Sequence, residues 1–363
     1  MRRWLGLLLA VSVIGIGTAL AFDTGVEDHR PVLLGAESYT EGWDQYFYFE
    51  DGTFLAVQFL ISNYGPTDHR ALVIGSLSSP DSDKPLVIKN GRGRKDWSFD
   101  DRQLDLKVAH HRFSGTHPHY RLYLRNSRGE VELTVEARVK SWQLGLIPDA
   151  ESEKFQYASY MMPMAQARGR YRRGSESGGD AGPWQTLRNG RGFAFRYLNS
   201  TSLSKVAPVW IRVAPIDSQD SASPIFYLVQ RPGQEQSSFL AIMGGGQIRQ
   251  QWTKFPVTLI TPENDAPNEA EDDTDADRRP PSTIEFQIAG TDGAVEGKIT
   301  MTRLLQRFDF VRELKPIERF FVQFLNTPVH YRYLAQYDLT YQGKDGGQQL
   351  TGTALAEIMT LKR

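Results

Sequence analysis

The segment Val131-Glu132-Leu133-Thr134-Val135-Glu136-Ala137-Arg138-Val139 alternates apolar and polar residues without an error. A period of two places successive side chains on opposite faces of an extended chain, so this is a strand buried on one side. Leu104 to Val108 and Ile284 to Ile288 repeat the pattern. Tyr331 to Tyr341 and Leu350 to Met359 do so around Gly343-Lys344-Asp345-Gly346-Gly347, which predicts a hairpin with a glycine-rich loop. Helical spacing is rare. Pro316 opens Ile317, Phe320, Phe321, Phe324 and Leu325, an apolar stripe for one short amphipathic helix in the C-terminal half, and Pro328 closes it. The pattern predicts an all-β chain. Its 363 residues suffice for two domains, with the break expected between Gly174 and Gly192.

The chain has no cysteine, which excludes disulfides, Cys-ligated zinc, iron–sulfur clusters and thiol catalysis. Lys and Arg number 42 against 43 Asp and Glu, so the basic balance expected of a nucleic-acid binder is missing. Arg2 and Arg3, the uncharged run Leu5 to Ile16 and the small residues of Thr18-Ala19-Leu20-Ala21 read as an export signal over residues 1–21. Cleavage after Ala21 would deliver a periplasmic or secreted protein; an uncleaved N-terminal membrane anchor is the alternative.

The sharpest hairpin signal is Asp51-Gly52, between Trp43–Glu50 and Thr53–Ser62. Read as a two-residue turn, it pairs Tyr48 with Leu55, Tyr46 with Val57, Gln45 with Gln58 and Trp43 with Leu60. Both faces are then mostly apolar, as expected where one lines a lumen and the other is covered. Two central amides on such a face cost stability unless they bond each other or a ligand. Trp43, Tyr46, Tyr48, Trp97, Trp142 and Trp184 are candidates to line an apolar cavity, with core packing as the alternative for each.

Other features carry less chemistry. Residues 262–281 hold eight acidic residues and almost nothing apolar, which predicts a mobile acidic loop. It lacks the spacing of a calcium loop. His110, His111, His117 and His119 cluster, but without a carboxylate at ligand spacing; an exposed loop is expected and no metal is assigned. Arg168, Arg170 and Arg172 would share one strand face, solvated or meeting acidic headgroups. No phosphate-binding loop, dinucleotide fingerprint, Gly-x-Ser-x-Gly or His-Glu-x-x-His motif occurs, so no cofactor is assigned.

Glu41-Gly42-Trp43-Asp44-Gln45-Tyr46-Phe47-Tyr48-Phe49-Glu50-Asp51-Gly52 resembles the opening strand of the double-lipocalin superfamily, which includes Svf1-like proteins, carotenoid 1,2-hydratases and tocopherol cyclase. Gln58-Phe59-Leu60-Ile61-Ser62-Asn63 is similar to its second strand. Tyr157 to Pro163 with Gly169-Arg170-Tyr171 resembles the strand closing the first barrel, and Gly352 to Met359 the final strand. The resemblance implies two consecutive lipocalin-like antiparallel β-barrels, over residues 22–185 and 186–363, and a hydrophobic ligand. Two departures stand out. Gly42 replaces a second Trp of the hydratase branch. That branch's Asp-His-x-Trp-like segment, expected early in the second barrel, reads here Gly192-Phe193-Ala194-Phe195-Arg196-Tyr197.

These readings predict carriage of a lipid or isoprenoid in a barrel cavity lined by Trp43, Gln45, Tyr46, Tyr48, Gln58, Ser62, Asn63 and Trp142, with no catalytic residue assigned. Ile317, Phe320, Phe321 and Phe324 could touch a membrane surface. The alternative is an isoprenoid or carotenoid hydratase, cyclase or isomerase using general acid catalysis; a buried Asp, Glu or His with a shifted pKa would favour it.

Overall fold

The structure is a computed structural model. It describes residues 29–35, 39–63, 69–148, 155–174, 181–200, 209–217, 222–230, 236–261, 280–290, 293–309, 328–343 and 346–361. The expected signal peptide, most of the acidic loop and the expected helix at 316–325 lie outside these residues.

The first sheet holds β1 (Thr40–Tyr48), β2 (Phe54–Ser62), β3 (Arg70–Ser78), β4 (Leu86–Arg92), β5 (Trp97–Phe99), β6 (Leu104–Val108), β7 (His111–Thr116), β8 (His119–Asn126), β9 (Gly129–Ala137), β10 (Trp142–Pro148), β11 (Phe155–Arg173) and β12 (Gln185–Asn199). The second holds β13 (Val209–Pro215), β14 (Ser223–Gln230), β15 (Ser237–Gly244), β16 (Gln247–Thr253), β17 (Val257–Ile260), β18 (Thr283–Gly290), β19 (Gly293–Asp309), β20 (Pro328–Gly343) and β21 (Gly346–Leu361). All pairings are antiparallel. In the first sheet β12 returns to lie between β1 and β11; in the second β21 returns beside β13. Each sheet thus curls its last strand back against its first and becomes barrel-like, as the two-barrel expectation requires. The expected strands and the C-terminal hairpin are present as β6, β9, β18, β20 and β21. The change of sheet falls between Asn199 and Val209 rather than near residue 185, because β12 pairs with β1.

The first hairpin differs from its expected register by one residue. Tyr48 pairs with Phe54, Tyr46 with Ala56, Gln45 with Val57, Asp44 with Gln58 and Trp43 with Phe59. The loop has three residues, Glu50-Asp51-Gly52: Phe49 N donates to Thr53 O, and Gly52 N to Phe49 O. Gly52 has φ of +83°, so the connection is a turn followed by a left-handed glycine, the alternative to a two-residue loop. A one-residue slip exchanges every cross-strand partner. Gln45 and Gln58 therefore lie on opposite faces, and the amide pair does not form.

Three apolar clusters fill the molecule. Trp43, Phe47, Phe59, Phe113 and Leu124 belong to the first barrel's interior. Phe226, Phe286, Ile299 and Tyr337 belong to the second's. The third contains Tyr46, Phe54, Tyr160 and Phe195 from the first sheet with Trp210, Tyr227 and Leu355 from the second. This last cluster is the seam between the barrels.

Candidate functional site at the seam

β1 is buried on both sides, and its alternation separates two polar systems. Its odd-numbered residues point into the first barrel. There Trp43 Nε1 donates to His29 O at 3.0 Å, and Arg196 Nη2 donates to Glu41 Oε1 at 2.6 Å. The Arg196 guanidinium lies 5.9 Å from the Trp43 ring. Gln45 is fully buried on the same face, and both its amide atoms lack a partner.

The even-numbered residues face the second barrel. Arg212 of β13 donates through Nη1 to Asp44 Oδ2 at 2.5 Å and to Glu357 Oε2 at 2.9 Å. Glu357, on β21, also accepts Tyr46 O–H at 2.6 Å and Arg332 Nε–H at 3.3 Å, and His330 Nδ1 lies 2.9 Å from it. Gln58 Nε2 donates to Asp44 Oδ1 at 2.9 Å and to Tyr197 OH at 3.2 Å. Arg332 reaches Gln306 of β19, whose amide donates to Ser76 Oγ of β3 at 2.6 Å. The network thus crosses from one sheet to the other several times. Aromatic faces cover the guanidinium groups: Arg212 lies 4.0 Å from the Phe195 ring centre, and Arg332 5.0 Å from that of Tyr46.

Two carboxylates against two guanidiniums, all with less than a tenth of their surface exposed, satisfy the rule that buried charge is paired. Their surroundings separate the two acids. Burial opposes the Glu357 carboxylate, yet Arg212, His330 and Arg332 hold it well below the ordinary range. Burial pushes Asp44 upward; Arg212 opposes this and Glu357 reinforces it. Tyr46 is pushed well above its ordinary value by burial and by both carboxylates, so it keeps its proton. The site therefore pairs a firmly ionised acid with one that takes up a proton more readily.

Beside the network is a narrow gap, too tight for a water-sized sphere, bordered by Tyr46, Phe54, Phe193, Arg332, Leu355 and Glu357. Most of its wall is apolar, with three polar groups at one end. Two glycines allow the close packing around it. A Cβ on Gly42 would lie 2.4–2.5 Å from the Tyr197 ring and hydroxyl, and one on Gly192 would lie 1.7 Å from Tyr46 O.

The structure divides the residues expected to line a cavity. Tyr46, Tyr48, Gln58 and Trp142 meet on the seam, where Arg303 Nη2 donates to Tyr48 OH at 2.6 Å and Trp142 Nε1 to Gln251 Oε1 at 2.8 Å. Trp43 and Gln45 belong to the first barrel's interior. Ser62 ends β2, and Asn63 Nδ2 donates to Leu34 O at 3.1 Å. Trp97 is buried, whereas the Trp184 ring lies 4.2 Å from Arg170 and 4.6 Å from Arg172. Of the histidines, His111 is buried rather than in an exposed loop, its Nδ1 accepting Arg125 N–H at 3.2 Å. No metal-binding group of three or more ligands occurs among the described residues.

Sequence reading missed Asp44, Arg212, His330, Arg332 and Glu357. The available signal was a charge inside an apolar strand: Arg212 in Val209-Trp210-Ile211-Arg212-Val213-Ala214, and Glu357 in Ala354-Leu355-Ala356-Glu357-Ile358-Met359. The Gly192–Tyr197 stretch belongs to β12, the closing strand of the first sheet, so it is not the start of the second barrel.

Fold and site define a protein of two consecutive lipocalin-like β-barrels with a buried network of paired charges at the barrel seam. No protein-family model and no curated protein sequence matches the chain. Solved structures do. CghA in complex with Sch210972 aligns over 90% of this chain and 89% of its own, with a TM-score of 0.58 and 10% identity. A protein assigned as AttH from Nitrosomonas europaea aligns over 97% and 99%, at 0.56 and 14%. Kievitone hydratase from Nectria haematococca aligns over 95% and 94%, at 0.54 and 12%. The likeness spans both barrels and establishes the fold.

Proposed function

We propose that the chain binds an apolar small molecule at the seam and moves a proton on it, as a hydratase, cyclase or isomerase does. The observation that carries this reading is the convergence of Tyr46, Glu357 and Arg332 on one end of an otherwise apolar gap, with Asp44 joined to Glu357 through Arg212. Adding water to an alkene, or cyclising one, needs a positioned proton donor and a fixed charge to stabilise the cation that forms. Tyr46 is the relay at the gap wall: its O–H is held on Glu357 and too weak an acid to lose a proton alone, so it passes one to the ligand only as Asp44 replaces it. Glu357 is the fixed negative charge. Asp44 is the group able to return a proton to the network through local rearrangement. The names of two fold neighbours, a hydratase and a protein in complex with a small molecule, agree with this class.

Plain carriage inside the first barrel draws less support. Trp43, Phe47, Val57 and Phe59 pack there into one continuous apolar cluster. The gap as it stands has no room for even a water-sized sphere, so a ligand must widen the seam to enter. Mass spectrometry of organic extracts from protein purified out of its own host tests the reading. A hydrophobic molecule should accompany the wild type and be lost from Leu355→Trp, which enlarges a seam-facing side chain of the gap wall. Equal retention by the variant would place the ligand elsewhere.

A further inference from the structure

On β6 to β9 and on β11, alternation puts every second side chain on the outer wall of the first barrel. Leu106, Phe113, Leu122, Leu133 and Ala167 point inward and belong to that barrel's interior cluster, not to the seam. Their neighbours form three rows across the five strands. Asp105, Ser114, Arg121, Thr134 and Arg168 stand side by side in register. Lys107, Arg112, Tyr123, Glu132 and Arg170 make the next row, and Arg125, Glu130 and Arg172 the third. Cations outnumber carboxylates in these rows by seven to three, on a chain whose net charge is −1.

The carboxylates are covered by the guanidiniums that pair with them. Arg112 Nε lies 2.7 Å from Asp105 Oδ1, and Arg170 Nε 2.7 Å from Glu132 Oε2. Arg125 and Arg172 close on Glu130 Oε1 at 3.2 and 2.9 Å. Side-chain exposure is 12% for Asp105 and 11% for Glu130, against 51% for Arg112 and 58% for Arg125. Solvent on this wall therefore meets guanidinium more than carboxylate. The Trp184 ring, packed on Arg170 and Arg172, holds two of these groups in place.

Arg121 and Arg168 differ from the others. Both are exposed, and neither has an ion pair among the described residues. They flank the exposed Thr134 across β9, their backbones two strand spacings or about 10 Å apart. A phosphate above Thr134 would be met from both sides by forked N–H donors, whose geometry matches phosphate oxygens. The cations of the three rows cover about 19 Å across the strands and about 13 Å along them. They spread in two dimensions, as phosphates do at a bilayer surface, whereas a linear polyanion calls for a single file. No exposed large apolar side chain lies among them in the described residues, so such a contact is electrostatic and confined to the headgroups.

We propose that this wall of the first barrel docks on a bilayer through the phosphate groups of anionic phospholipid, with the unpaired Arg121 and Arg168 as its anchors. The seam plays no part in the contact, so the proposal stands apart from the chemistry assigned there.

The test uses residues 22–363, which hold both barrels, and sedimentation with vesicles of phosphatidylcholine alone or with one quarter phosphatidylglycerol. The protein should sediment with the mixed vesicles and stay in solution with phosphatidylcholine alone. Raising salt from about 50 to about 500 mM should release it, because exposed charges are screened. Arg121→Gln and Arg168→Gln should each weaken binding about fivefold, and together about twenty-fivefold. Lys298→Gln, which removes an exposed charge from the second barrel, should change it by less than about twofold. Circular dichroism checks that each variant is folded. Equal binding to both kinds of vesicle would overturn the proposal, as would mixed-vesicle binding that the double variant leaves unchanged. Tighter binding of soluble polyphosphate than of mixed vesicles at equal phosphate, through the same two arginines, would overturn it in favour of a linear polyanion.

Discussion

Replacing Glu357 by Gln removes the charge on which the seam is built while leaving nearly the same shape. Tyr46, Arg212, Arg332 and His330 all converge on this carboxylate, and Arg212 links it to Asp44. Two unit charges about 4 Å apart interact by about 4 kcal/mol at the effective dielectric typical of protein sites. The variant leaves two buried guanidiniums against one carboxylate, and breaking a buried pair in this way costs about 3–5 kcal/mol. Urea unfolding followed by circular dichroism and tryptophan fluorescence reads that loss as a lower midpoint. Because the carboxylate joins β21 and β13 to β1, the two barrels should also stop unfolding together. A companion double variant, Glu357→Leu with Arg212→Leu, removes one charge of each sign and should lose less than Glu357→Gln alone. A loss below about 1 kcal/mol for Glu357→Gln, or a greater loss for the double variant, would refute the account of the seam as a paired buried network.

Tyr46→Phe should leave the fold intact and cost about 1.5–3 kcal/mol, the value of a hydrogen bond to a charged group, while abolishing turnover; an active variant would remove Tyr46 as the proton relay. Gly42→Ala should displace the Tyr197 ring and break its bond from Gln58, destabilising by about 1–3 kcal/mol, and an unchanged melting temperature would show that the ring moves freely. Acid should destabilise the first barrel through His111, whose pKa burial lowers from 6.5 to about 4. Between those values the unfolded chain binds a proton that the folded chain refuses, so stability present above pH 6.5 falls on the order of 3 kcal/mol as pH drops to 4. His111→Gln should flatten that slope, and an unaltered slope would assign it to other groups. The export reading predicts that protein recovered from the cell envelope begins at Phe22; an intact Met1 would favour the anchor.

Much of the fold was legible because alternation is a local property. Leu104–Val108 and the segment around Val131–Val139 are strands in the structure, and both C-terminal hairpin arms fall where their pattern placed them. Register was less legible, because Glu50-Asp51-Gly52 can close with two or three residues and only the backbone geometry at Gly52 decides. The sheet to which Gln185–Asn199 belongs was hidden for a related reason: β12 pairs with β1, far away in sequence. Half of the site showed itself as aromatic and amide residues on one hairpin, Tyr46, Tyr48 and Gln58. The other half did not, since Arg212, His330, Arg332 and Glu357 come from three strands of the other barrel and meet Asp44 only when the barrels dock. A lone Arg or Glu in an apolar strand signals a buried partner without naming it.

The claim that the seam performs proton chemistry is tested most directly by deuterium transfer. The molecule extracted from the wild-type protein is returned to purified protein in D₂O and analysed by mass spectrometry. The wild type should introduce deuterium at carbon, whereas Tyr46→Phe, shown to be folded by circular dichroism, should introduce none. Deuterium incorporation at the same rate by both proteins, or by neither, would contradict the account.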